Sequence, residues 1–242
     1  MTLNNDTMWA TVFIARSVHF LRNRIADVAR MQDTVILASK SPRRQALLAD
    51  LGLAFTVDVA AVDEAPYPDE PPGELAIRLS RAKASAVAAR HPGESVLAAD
   101  TVVAFGTTLL GKPADPREAT AMLAALRGCD HQVYTAVSLA RGERLATRLS
   151  LSHVTMRDYS DAEIAAYVAS GDPLDKAGAY AIQHPLFSPV ARWDGCYAGI
   201  MGLPLGITAG LLVDAGVNVP ADVVAACERL GTRCCLRDAT GS

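Results

Sequence analysis

A chain of 242 residues, 50% hydrophobic and 20% charged, has enough apolar content to bury the core of one large α/β domain or of two lobes. Its net charge of −3 offers no broad cationic surface to nucleic acid or to an anionic membrane, so any anion site has to be local. No apolar run approaches the ~20 residues of a membrane span, and the five cysteines, with no Cys-x-x-Cys pair, read as reduced thiols of a cytoplasmic protein.

The run "MWATVFIA" at 8–15 is too short to span a bilayer, and Asp6, with no basic residue before it, argues against a secretory signal. Arg16, Arg22, Arg24 and Arg30 punctuate this stretch. Two readings stay open, an amphipathic targeting helix or a start placed upstream of Met31. Residues 1–32 are therefore set apart as an N-terminal extension, with the functional domain expected over 33–220 and a C-terminal helix and tail over 221–242.

From residue 34 strands and helices alternate, which predicts an α/β fold around a central sheet. "TVILA" is the first strand, and "PRRQALLADL" the first helix, with Ser41 as N-cap, Pro42 in first position and Gly52 as terminator. "FTVDV" is a second strand, "EAPYPDEPP" a proline-rich loop, and Leu75, Leu79, Ala82 and Ala86 mark one face of a helix running to about Arg90. "SVLAAD" reads as a buried strand ending in an aspartate, and "TVVAF" and "LLGKP" flank the turn of a hairpin. Asp115 to Glu118 form a capping box for a helix reaching Arg127. Two alternating strands, "HQVYTAVSLA" and "RLATRLSLSHVTM", follow, then a helix opened by the Ser160 and Glu163 box, and a last helical pattern, "GITAGLLVDAG".

The first helix raises a chemical question, because its N-terminus already carries positive dipole charge and still opens with Arg43 and Arg44. A strand, a serine-bearing loop and a helix N-terminus make an anion cradle, and two guanidinium forks match phosphate oxygens. Both arginines could equally face solvent. In "AADT" (98–101) an aspartate closes a buried strand, where α/β sheets place ligands, although Asp100 could also be a turn former. Lys83, Lys112 and the pair Asp63 and Glu64 can converge there, supplying cations for a polyphosphate and carboxylates for a divalent metal or a water. In "DKAGAYAIQ" (175–183) small residues allow close backbone approach, and Gln183 offers a donor and an acceptor to a flat heterocycle edge; a tight structural turn explains the same stretch.

Taken in order, "ILASKSPRRQALLADLG", "DE" at 63–64, "RAKA", "AADTVV", "LGKP", "HQVYTAV", "DKAGAYAIQ" and "GLPL" resemble the Maf family of nucleoside triphosphate pyrophosphatases, over about residues 34–216. The resemblance implies a two-lobed α/β fold around an elongated mixed sheet with flanking helices and a cleft between lobes. It implies hydrolysis of a nucleoside triphosphate to monophosphate and pyrophosphate, a divalent cation (Mg2+ or Mn2+), a cytoplasmic location and a homodimer. Ser39, Arg43 and Arg44 would then grip the triphosphate, Lys83 and Lys112 neutralise phosphate charge, Asp100 accept a proton, and Glu64 with Asp100 hold the metal. Arg43, Thr101 and Gln183 resemble the branch preferring dTTP and UTP, including modified pyrimidine analogues. The alternatives are a pyrophosphatase for 7-methyl-GTP or another modified nucleotide, and a nucleotide-binding regulator of cell division with little turnover. The chain departs from the family where His184 stands for the usual glycine and Ala198-Gly199 for Ser-Asn, which bears on base selectivity more than on chemistry.

Overall fold

The computed structural model of the chain describes residues 34–231, so the arginine-punctuated extension and the cysteines Cys234 and Cys235 lie outside the described residues. The sheet begins with β1 (Val35–Leu37), whose apolar run is buried on both faces, as a central parallel strand requires. The helix α1 (Pro42–Ala49) returns the chain to β2 (Phe55–Val57), parallel to β1, and the long α2 (Pro72–Ala88) leads to β3 (Ser95–Phe105), parallel to β1 on its other side. A type of turn that needs φ > 0 at Gly106 folds β4 (Thr108–Leu110) back on β3. After α3 (Pro116–Leu126), the strands β5 (Asp130–Arg141) and β6 (Arg144–Met156) form a long hairpin. Helix α4 (Asp161–Ala169), two short 3-10 turns, the edge strand β7 (Val190–Asp194) and the helices α5 (Tyr197–Met201), α6 (Leu205–Asp214) and α7 (Val223–Arg229) complete the order. The mixed sheet runs β2-β1-β3-β5-β6-β7, with β4 pairing β3 off that path.

The period-two alternation of β3 divides the packing between the two sheet faces. Val96, Ala98 and Val102 point toward α2, where they meet Ala84, Val87, Leu75 and Leu79. Leu97, Ala99 and Val103 point to the opposite face, and there the apolar packing splits in two. Leu97 and Ala99 join a cluster built from α1, α6 and α7, whereas Val103 joins a separate one built from α3, α4 and the aromatic residues Tyr159, Tyr167 and Phe187. Asp100 and Thr101 are the polar step between them, one on each face. The two lobes are thus two cores on one side of a shared sheet.

Four expectations are corrected by the fold. The strand holding Asp100 does not end there but runs five residues further to Phe105, because the β-branched and apolar "TVVAF" continues the same ladder with β5. The buried face of α2 carries Ala84 and Val87 in place of Ala82 and Ala86; Ser80 joins it because its hydroxyl bonds Ile77 O at 3.0 Å and Ser138 Oγ at 2.8 Å. Ser41 sits at the N-cap of α1, but its hydroxyl caps nothing; its N–H donates to Ser39 Oγ at 3.2 Å. Around Asp115 the reciprocal arm is shifted by one residue, Glu118 accepting from Ala114 N–H at 2.6 Å.

The box at α4 is complete, since Ser160 Oγ accepts from Glu163 N–H and Glu163 Oε2 accepts from Ser160 N–H at 2.8 Å. That backbone bond, with Arg157 at 2.9 Å, holds Glu163 down to about 2 from an ordinary 4.5. A depressed carboxylate stabilises the fold above its ordinary value and ceases to do so as pH falls toward about 2. We expect Ser160→Ala to cost about 1 kcal/mol in urea unfolding at neutral pH, and Glu163→Gln to flatten the loss of stability between pH 4.5 and about 2.

Candidate active site

The cleft opens where the sheet loses a strand. Pairing of β1 with β3 ends at Leu37 and Leu97, and pairing of β4 with β3 begins at Leu110 and Val103. The free edge between them borders a cavity of about 920 Å³ lined from both faces of the sheet, by Asp100 and Lys83 on one and Thr101 and Arg44 on the other. The N-terminus of α1 closes one end with Ser39, Ser41 and Arg43, and Lys112, directly after β4, enters from the other.

On the α2 face Lys83 projects toward β3 and is held by two carboxylates, Asp100 Oδ1 at 2.5 Å and Glu64 Oε1 at 2.7 Å. Burial raises Asp100 above the usual aspartate range, and the charge and hydrogen bond of Lys83, with Arg44 beyond, only partly offset it. Glu64 moves the other way. Burial acts upward on it too, but the hydrogen bond and charge of Lys83, helped by Lys112 and Arg44, outweigh that and keep it low. Two carboxylates driven apart in acidity are what a site needs when one must carry protons and the other stay ionised. Glu64 stands on a segment without regular structure, which Arg78 clamps by bonding Glu70 at 2.7 and 2.8 Å and Ala65 O at 2.8 Å while lying 4.0 Å over the Tyr67 ring.

The opposite face is a chain of hydrogen bonds. Arg44 donates from Nε to Gly202 O at 2.9 Å, from Nη1 to Ser39 Oγ at 3.3 Å and from Nη2 to Thr101 Oγ1 at 3.1 Å. Burial lowers its pKa, with Asp100 opposing. Thr101 Oγ1 lies 3.0 Å from Thr135 Oγ1, which donates to Gly199 O at 2.8 Å. Gly202 has φ +113, and a Cβ there would stand 3.4 Å from both Arg44 Nε and Thr101 Oγ1, so the "GLPL" glycine lets its strand of chain close onto the arginine. Arg44 therefore spends three of its five donors on the protein. The Arg43 side chain makes no hydrogen bond among the described residues, and Arg43 lines the cavity.

The stretch 175–183 divides. Ala177 and Tyr180 line the cavity, and Tyr180 is fixed by His131 Nε2 at 2.8 Å, an imidazole that burial keeps neutral with a pKa near 4. The close approach afforded by Gly178 serves the protein, for its N–H donates to Gly111 O at 3.1 Å and a Cβ would meet Val103 Cγ1 at 3.1 Å. Lys176 is buried against Asp172 and Asp175. Gln183 is not among the residues that line the cavity, and its Oε1 is buried without a hydrogen-bond partner among the described residues. Sequence reasoning missed Thr135 and the Gly199 and Gly202 carbonyls. Thr135 lay inside the quoted "HQVYTAV", and the signal was a polar β-branched residue in an otherwise buried run.

Paired carboxylates on one lysine, facing a helix N-terminus and further cations, offer a polyanion both counter-charge and acid–base groups. The chain belongs to the Maf-like protein family, whose model matches residues 34–215. It is 54% identical over 188 residues to a dTTP/UTP pyrophosphatase of Thermomicrobium roseum, covering 77% of this chain and 86% of that protein. It is 50% identical to a protein of the same name from Myxococcus xanthus (78% and 96% covered) and 45% identical to another from Cupriavidus metallidurans (78% and 100% covered).

The two arginines should separate cleanly by mutation. Arg44→Ala strands three acceptors around a partly buried gap, and we expect a loss of about 2–3 kcal/mol in urea unfolding. Arg43→Ala should stay within about 0.5 kcal/mol while raising KM for a triphosphate, as measured by initial rates. Equal stability losses would contradict the assignment of different duties.

Proposed function

We propose that this chain hydrolyses nucleoside triphosphates to the monophosphate and pyrophosphate, with dTTP and UTP or their modified analogues as substrates, and so clears the nucleotide pool. The observation that carries the reading is the joint hold of Asp100 and Glu64 on Lys83 at the break in the sheet. The names of relatives at 45–54% identity support the same activity.

The triphosphate enters along the cationic wall, with the N-terminus of α1, Ser39 and Arg43 taking phosphate oxygens and Lys112 meeting them from the hairpin side. Asp100, raised by burial, receives a proton from the attacking water. The new bond joins water oxygen to the α-phosphorus, and the bond to the bridging oxygen breaks. Pyrophosphate leaves with that electron pair, its charge balanced by Lys112, Arg43 and Lys83.

The donor set also fits a divalent cation delivered with the nucleotide. Among the described residues no group of three or more His, Cys, Asp or Glu gathers for a metal. Glu64 and Asp100 each turn one oxygen to the Lys83 ammonium, and two carboxylates are nonetheless the usual protein share when substrate phosphates supply the remaining ligands. Glu64 and Asp100 would hold such an ion, which would contribute charge neutralisation at the reacting phosphate.

Asp100→Asn keeps the shape of the side chain and removes its basicity. With dTTP and Mg2+ or Mn2+, pyrophosphate release should fall by about 10² to 10⁴ in kcat, with the unfolding midpoint little changed. Near-normal kcat in that variant would remove Asp100 from the chemistry, and wild-type protein that binds dTTP without releasing pyrophosphate would remove the hydrolase reading.

A further inference from the structure

Lys176 is a buried cation that the proposed hydrolysis does not use. It is 6% exposed and does not line the cavity, although its neighbours Asp175 and Ala177 do. Its ammonium donates to Asp172 O, to Asp172 Oδ1 at 3.0 Å and to Asp175 Oδ1 at 2.6 Å, which uses all three protons. The other carboxylate oxygen of Asp172 accepts from the Tyr167 hydroxyl at 2.6 Å, and that hydroxyl accepts in turn from Ala181 N–H at 3.1 Å. One polar knot therefore grips the chain at Lys176 and again at Ala181.

Between the two grips the backbone takes a left-handed step at Gly178 (φ +70) and another at Ala179 (φ +60), the second a conformation that a Cβ disfavours. Such a residue persists where its surroundings over-determine it. Here Ala179 N–H donates to Lys176 O at 3.0 Å, and the residue is fully buried. The step turns Gly178 N–H to Gly111 O, 3.1 Å away.

That acceptor belongs to the peptide unit that leads into Lys112. The ladder between β4 and β3 stops at Leu110, and a Cβ at Gly111 would meet nothing within 4 Å, so neither strand pairing nor side-chain packing sets this unit. A peptide unit is planar, so a bond that holds Gly111 O also fixes where the Cα of Lys112 stands. From there Lys112 lines the cavity.

We infer that Lys176 is a positioning residue for Lys112: it locks the 176–181 segment, and through Gly178 that segment holds the Gly111–Lys112 peptide so that the lysine meets the phosphates. The inference rests on the hydrolase reading above for what Lys112 meets, and adds to it a residue that touches no substrate.

Binding of inorganic tripolyphosphate with Mg2+, followed by calorimetry on the full-length chain, reads the phosphate grip without turnover. Two double-mutant cycles are run against Lys112→Ala. Tyr167→Phe keeps the ring and removes the hydroxyl that joins Asp172 to Ala181. Lys176→Met is made on an Asp175→Asn chain, so that no unpaired carboxylate is left at the cavity wall. With Lys112 present, each change should weaken tripolyphosphate binding by at least about threefold and raise KM for dTTP; with Lys112→Ala, each should alter binding by less than about 1.5-fold. A change that merely loosens the fold costs the same factor in both backgrounds, and that result overturns the inference. So does an unchanged affinity with Lys112 present, or a Lys112→Ala chain that binds tripolyphosphate as tightly as wild type. Should the Lys176→Met chain fail to fold, Tyr167→Phe decides alone. Failure of the hydrolase reading looks different, as no pyrophosphate release from any triphosphate while the binding cycles hold.

Discussion

Strand β3 is paired with β5 from Val96 to Ala104 on one edge and deserted on the other between Leu97 and Val103. Everything that makes the cleft follows from that asymmetry. Pairing with β5 keeps the strand straight and rigid, so residues two apart stay on one face at fixed spacing. The missing neighbour means that both faces, and the edge itself, open into one cavity. An open edge is ordinarily an aggregation hazard, blunted by charges or by covering segments. Here it lies inside the molecule, flanked by the α1 N-terminus and the β3–β4 hairpin, and its length admits a small ligand and not another strand.

The polar step at Asp100 and Thr101 puts opposite chemistries on the two faces. Toward α2 lies an ionic group of three, with Lys83 shared by Asp100 and Glu64. Two carboxylates near one ammonium leave a net negative point among cations, and removing Lys83 would leave the buried Asp100 without its direct counter-charge. Toward the other face lie neutral hydroxyls and carbonyls anchored by Arg44. The two apolar cores of that face meet at Met201, which packs against both, and beside this polar layer, so residues that join the lobes also border the cleft.

Much of this was legible in the sequence, because local patterns carry local structure. Period-two runs marked β5 and β6, the Ser160 and Glu163 box marked α4, and Ser39, Arg43, Glu64, Lys83, Asp100, Thr101 and Lys112 all reach the cavity from separate segments. What was not legible depends on pairing between distant segments. Nothing near "AADT" tells that β1 stops at the register of Leu97 and β4 starts at that of Val103, so Asp100 read as a strand end when it is the middle of an open edge. Arg44 looked like half of an equal pair with Arg43; its three bonds go to residues 5, 57 and 158 positions away. The placement of Gln183 off the wall was not legible either; the segment that follows it is tied by tertiary contacts, Phe187 stacking on Tyr167 and donating its N–H to His184 Nδ1.

The contrast between the two carboxylates extends to how they are carried. Asp100 belongs to a strand hydrogen-bonded along β5 and is buried, so its position is set by the whole sheet. Glu64 is largely exposed, with a side chain 60% accessible, and the segment bearing it has no ladder or helix of its own. Its position is set from behind by the Arg78 clamp on Glu70, Ala65 and Tyr67. In the proposed hydrolysis Asp100 would gain from rigidity, because small misplacements of a reacting group are costly, and Glu64 would approach the ligand from a loop held only at its clamp. One carboxylate stands on the strand and one on the clamped loop, and Lys83 keeps them within reach of each other.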